Sequence, residues 1–105
     1  MSTKKKAKIR SELLYESILK LETVEECKSF LNDLCTMAEL RAMEQRMEVA
    51  VLLSDGMIYN NILERTGASS ATISRVNRAL QYGAGGYQIV LPRIRELCEK
   101  EEETK

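Results

Sequence analysis

Residues 56–82 read GMIYNNILERTGASSATISRVNRALQY, and this stretch decides the fold. It divides into a short helix, a tight turn at Thr66-Gly67-Ala68 and a second helix. Gly67 takes the positive φ that such a turn requires at little steric cost. Ser69 is a candidate N-cap, its hydroxyl free to accept an orphan amide from the next turn. In the second helix Ile73, Val76 and Leu80 share one face at helical spacing. The opposite face carries Ser70, Ser74, Arg75, Asn77, Arg78 and Gln81, with no carboxylate among them. Small polar residues at the start, arginines further on and nothing that repels phosphate suit a helix lying along DNA. The stretch is a helix-turn-helix over about residues 57–82, its recognition helix at roughly Ser70 to Gln81. A polar outer face also occurs in ordinary helical domains, where it only keeps the helix solvated, so the motif alone does not separate the two. The turn departs from the usual pattern once: Leu63 stands four residues before the turn glycine, where a small residue is customary.

Working outward, Val49-Ala50-Val51-Leu52-Leu53 is apolar on nearly every side of the preceding helix and wants partners all round. Asp55-Gly56 stops that helix, with Gly56 a good C′ residue. Its stripe is Leu40, Met43, Met47, Ala50 and Val51. Thr36-Met37-Ala38-Glu39 opens it as a capping box, and Thr23-Val24-Glu25-Glu26 opens the helix before it in the same way. That earlier helix is expected to bury Val24, Cys27, Leu31 and Leu34. Leu14, Ile18 and Leu21 mark a first helix from about Lys8 to Leu21. Downstream, Gly83-Ala84-Gly85-Gly86 breaks the chain, and a last helix is expected to bury Ile89, Val90, Ile94, Leu97 and Cys98. Pro92 lies inside this last pattern, so either the helix begins near it or its first turn is kinked. No strand-like alternation competes, and the fold class is all-α.

A chain of 105 residues is one domain with a limited core. The 16 basic and 16 acidic residues cancel, so no global field announces a nucleic-acid binder. The charges are nonetheless segregated. Residues 1–8 form a flexible basic arm (Lys4, Lys5, Lys6 and Lys8, continued by Arg10), residues 9–100 the helical domain, and residues 101–105 an acidic tail preceded by Glu99. The arm can add phosphate contacts. Cys27 and Cys35, about 12 Å apart on one helix, are too far apart to bridge, and with Cys98 they read as small buried apolar residues of a reducing cytoplasm. No secretory signal and no membrane-crossing apolar run is present. Without histidine, with Asp33 and Asp55 as the only aspartates and no clustered ligands, neither catalysis nor a metal site is expected. The apolar surplus favours a symmetric dimer, which would present two recognition helices one DNA turn apart.

The segment Gly67-Ala68-Ser69-Ser70-Ala71-Thr72-Ile73-Ser74-Arg75 resembles the recognition segment of the tryptophan repressor. Thr36 to Arg46 and Val49 to Gly56 line up with the helix preceding its reading head. The continuation Ser74-Arg75-Val76-Asn77-Arg78-Ala79-Leu80, then Tyr82-Gly83 and Gly85-Gly86-Tyr87, resembles the tryptophan-repressor-related YerC/YecD family of bacterial regulators. The similarity spans roughly Leu13 to Leu97.

The resemblance implies a six-helix tryptophan-repressor-like fold and an intertwined homodimer. It implies Ser70, Ala71 and Ser74 at base edges, with Arg75, Arg78 and Thr72 close to phosphates or supporting the helix, and Ser69 beside them. Asn60 matches a DNA-reading arginine of the repressor, so the operator should differ. An effector pocket is implied at Thr36, Arg46, Arg75, Val76 and Ala79, where two arginines of the repressor sandwich the tryptophan indole. Here Val76 replaces a glycine and Ala79 a serine, which counts against tryptophan; no cofactor is expected, and the pocket is left for a ligand of another kind or for none. As an ordinary surface residue, Arg46 would instead pair with Glu39 or Glu48. The reading is a bacterial, cytoplasmic, homodimeric transcriptional regulator, a repressor that binds double-stranded DNA. The alternative is a helical protein–protein interaction module without specific DNA binding.

Overall fold

The computed structural model describes residues 3–103, with side chains over 10–97. These residues form six helices, α1 (Thr3–Leu19), α2 (Val24–Leu34), α3 (Met37–Ser54), α4 (Tyr59–Thr66), α5 (Ser70–Tyr82) and α6 (Gly86–Glu103), with no strand among them. The all-α, six-helix expectation is met. Contacts divide the chain into two units, Met1–Leu40 and Arg41–Lys105.

In the first unit α1 begins at Thr3, ahead of the expected start near Lys8, and ends at Leu19. Lysine and alanine are good helix formers, and neither glycine nor proline interrupts them. The basic side chains of Lys4 to Lys8 lie outside the described residues, as do Thr104 and Lys105 of the acidic tail. Thr23 caps α2 by accepting the Glu26 amide at 3.1 Å. The Glu26 carboxylate accepts in turn from the Glu22 amide at 2.9 Å, one residue before the position a capping box uses. At Thr36 the box closes in full: the Thr36 amide donates to Glu39 Oε1 at 2.8 Å, and the Glu39 amide donates to Thr36 Oγ1 at 3.1 Å.

The stripe of α2 lies where its spacing puts it, but the chain does not bury it. Val24 is 64% and Leu34 52% exposed, while Cys27 and Leu31 are half-buried. Leu14 and Ile18 of α1 are exposed too. Periodicity defines an apolar face and not the element opposite it, and no described side chain of this unit is fully buried. The thiols of Cys27 and Cys35 are free and half-buried; the side chain of Cys98 lies outside the described residues.

The second unit holds the core. Val49, Ala50 and Leu52 of α3, Ile62 of α4, Ala68 of the turn, and Ile73 and Val76 of α5 form one buried cluster. Leu53, Met57, Leu63, Leu80 and Tyr87 pack around it. In the expected α3 stripe Ala50 is buried, whereas Leu40, Met43, Met47 and Val51 are half-buried. The end of α3 is a Schellman motif. The Gly56 amide donates to the Leu53 carbonyl at 3.0 Å and the Met57 amide to that of Leu52 at 3.1 Å, with Gly56 at φ 86°.

For α6 the expected face is corrected. Ile89, Val90, Ile94 and Leu97 are exposed, and Leu91 is the residue buried, with Tyr87 one turn before it. The helix starts at Gly86 and runs through Pro92.

Candidate nucleic-acid interface

The reading head is assembled from local hydrogen bonds on a shared core. Gly67 closes α4 at φ 71°, its amide donating to the Leu63 carbonyl at 3.0 Å. Only the carbonyl of Leu63 takes part in that closure, while its side chain packs partly buried against the core, so the departure from a small residue is accommodated. The Thr66 hydroxyl donates to the Ile62 carbonyl at 2.7 Å and accepts from the Ala68 amide at 3.0 Å, carrying the chain around the turn. Ala68 is buried beneath it. Ser69 caps α5, its Oγ accepting the Thr72 amide at 3.1 Å and lying 3.0 Å from the Thr72 hydroxyl. These two hydroxyls are thus engaged with each other, and Thr72 supports the helix start.

Burial of Ile73 and Val76 sets the rotation of α5. With that face inward, Ser70, Ala71, Ser74, Arg75 and Arg78 are exposed. Ala71, Ser74, Arg75 and Arg78 line one surface depression of about 280 Å³. Among the described residues neither arginine is in an ion pair; the one pair there joins Arg95 to Asp55 at 2.6 Å. Nor does α5 contain a carboxylate. A helix face with two uncompensated guanidiniums and small hydroxyl and methyl groups ahead of them can hold phosphates and approach base edges. Asn60 is exposed in the first turn of α4.

The residues matched to an effector pocket are distributed differently. Thr36 belongs to the first unit, where its hydroxyl and amide close the α3 cap. That cap holds the Glu39 carboxyl below its ordinary pKa, chiefly through the hydrogen bond from the Thr36 backbone and then that from its hydroxyl. Arg46 is half-buried and, among the described residues, forms no ion pair, so the expected pair with Glu39 or Glu48 is absent. Val76 is 1% exposed and belongs to the core cluster. Arg75 lines the outer depression, whereas Ala79 lines another of about 350 Å³ with Met47, Gly83, Ala84, Gly86, Tyr87 and Val90.

Two supports of the head carry no signal in the sequence. The Gln45 amide donates to the Thr66 carbonyl at 3.4 Å, tying α3 to the turn. Arg95 of α6 donates to Ser54 Oγ and Asp55 Oδ1, bracing the junction before α4. Both join residues distant along the chain. Among the described residues, no cluster of His, Cys, Asp or Glu could hold a metal ion, and no helix is long and apolar enough to cross a membrane.

Comparison with known proteins gives consistent matches. The family model described as Trp repressor protein matches residues 10–95. The uncharacterized protein YerC of Bacillus subtilis (strain 168) is 49% identical over 83 residues, 79% of this chain and 80% of YerC. A solved structure described as a proposed Trp repressor from Staphylococcus aureus superposes with a TM-score of 0.80 at 41% identity, covering 90% of this chain and 95% of the other. A TrpR-like protein from Eubacterium eligens ATCC 27750 gives a TM-score of 0.76 at 47% identity, covering 79% and 86%.

Proposed function

The chain belongs to the Trp repressor protein family, and from that premise we propose that it is a sequence-specific, double-stranded-DNA-binding transcriptional regulator. In this reading it is a repressor and acts as a homodimer in the bacterial cytoplasm. The observation that carries the proposal is the outer face of α5, where Arg75 and Arg78 stand without ion-pair partners among the described residues, beside Ala71 and Ser74. The N-terminal end of α5 enters the major groove and brings Ser70, Ala71 and Ser74 to base edges. Arg75 and Arg78, further along, bind phosphates, and Asn60 approaches from α4. The short side chains do not form bidentate base contacts, so readout uses single hydrogen bonds, methyl contacts and bridging water.

The dimer is supported by the apolar surface that one chain leaves uncovered. Val24, Leu34 and Met37 in the first unit, and Ile89, Val90 and Leu97 in the second, are exposed large side chains. A segment as short as the first unit, without a buried side chain of its own among those described, needs a second copy to cover it.

Tryptophan is not the effector in this reading. Ala79 lacks the hydroxyl that helps hold the amino acid in the repressor, and Val76, where the repressor has glycine, is taken into the core. Titration calorimetry should detect no tight tryptophan binding, and low-micromolar affinity would overturn this part. DNA binding itself is tested by selecting duplexes from a random pool and titrating the recovered sites across a salt series. Affinity that falls steeply with salt is expected, through counterion release. A salt-insensitive association driven by apolar residues would instead favour a protein-interaction module.

A further inference from the structure

We propose that the depression on α5 reads thymine through its 5-methyl group, with Ala71 as the residue that determines specificity there. The inference rests on α5 being the DNA-reading helix. Ala71, Ser74, Arg75 and Arg78 follow the i, i+3, i+4, i+7 spacing that places residues on one arc of a helix. Two short side chains beside two long ones leave the hollow of about 280 Å³ that these four residues line. The register of that arc is set by the opposite face, because Ile73 and Val76 are fully buried in the core. Rotation that carried Ala71 inward would bring both of them into water.

The chemistry of the arc selects among the base edges. Thymine alone presents an apolar group in the major groove, and an alanine methyl is a matching surface for it. Cytosine presents a donor there that wants an acceptor, best a carboxylate; α5 has no carboxylate, and the Ala71 methyl accepts nothing. Guanine is recognised by a guanidinium fork, but in the proposed reading Arg75 and Arg78 are engaged by phosphates. At the N-terminal end of α5 the Ser69 hydroxyl is committed to the Thr72 amide. Ala71 is therefore the exposed group that meets a base without offering a hydrogen bond, flanked by the Ser70 and Ser74 hydroxyls, which can donate or accept.

The test uses the full chain and the duplex recovered from a random pool. Each thymine is replaced in turn by uracil, which removes the methyl group alone. At one position in each half-site the replacement should weaken binding about fourfold, the value of one buried methyl-sized group. Ala71→Gly should bind thymine and uracil duplexes equally at that position, while thymine elsewhere in the site keeps its effect. Since a mid-helix glycine weakens α5, Ala71→Ser serves as a second variant that keeps the helix and replaces the methyl surface by a hydroxyl. It too should lose the discrimination, with circular dichroism showing the wild-type helix content. Binding indifferent to uracil at every position would overturn the inference and leave the proposed function standing. So would an unchanged uracil effect in folded Ala71→Ser, or selected sites with only G·C pairs where Ala71 acts. Recovery of no duplex at all would overturn the proposed function itself, and the inference with it.

Discussion

Replacing Arg78 by alanine tests the phosphate-binding role proposed for it. Arg78 is exposed and, among the described residues, has no ion pair, so its removal strands no charge and opens no cavity. Stability should therefore stay within about 0.5 kcal/mol of wild type. Each phosphate contact adds about 0.9 to the slope of log affinity against log salt, so a dimer losing one contact per protomer should lose about 1.8. Raising salt fourfold, from about 50 to about 200 mM, should then narrow the affinity ratio between wild type and variant by about twelvefold. That narrowing should be the same on a selected site and on a scrambled one, because phosphate contacts carry no sequence information. Fluorescence anisotropy with both duplexes over a salt series gives the two slopes directly. Enlarging Ser74 to leucine should do the reverse, changing which duplex is preferred by about 1–3 kcal/mol per base pair while leaving the salt slope intact. If Arg78→Ala altered sequence preference and Ser74→Leu did not, the division of labour along α5 would be wrong.

Leu52 lies in the core cluster, so Leu52→Asp should unfold the chain at a cost of several kcal/mol, read as lost helical circular dichroism; a charge at half-buried Val51 should act mainly on association. If the proposed dimer is the folding unit, sedimentation of the wild type should show no folded monomer at micromolar concentration, and finding one would refute that. Gly83→Ala would put a Cβ 2.3 Å from the Ala79 carbonyl oxygen, a clash with backbone that cannot swing away. It should lower stability by on the order of 1–3 kcal/mol in thermal unfolding, and an unchanged midpoint would show that the α5–α6 junction relaxes freely. The Glu39 carboxyl has its pKa lowered from 4.5 by the Thr36 cap, so its contribution is present above that ordinary value and is lost as pH falls through the lowered one. Unfolding midpoints measured from neutral to acid pH should show this loss in wild type and not in Glu39→Gln; parallel curves would contradict it.

What could be read from the residues alone was whatever a single turn of chain decides. The positive φ at Gly67, the cap at Ser69, the reciprocal box at Thr36 and Glu39, and the stop at Gly56 each involve groups within a few positions of one another. Their geometry follows from local sterics and short-range hydrogen bonds, whatever lies elsewhere. The outer face of α5 was legible for the same reason, since Ile73 and Val76 face inward and leave Ser74, Arg75 and Arg78 outside. Burial was another matter. Val24 and Leu34 form a real apolar stripe and yet face outward, and on α6 Leu91 is buried where Ile89 and Ile94 are not. Val76, readable from sequence both as core and as pocket lining, is core. The bond from Gln45 to Thr66 and the clasp of Arg95 on Ser54 and Asp55 have no local signature at all. A repeat of 3.6 residues tells which side chains share a face, but burial depends on which distant element arrives opposite, and only the folded chain brings that element there.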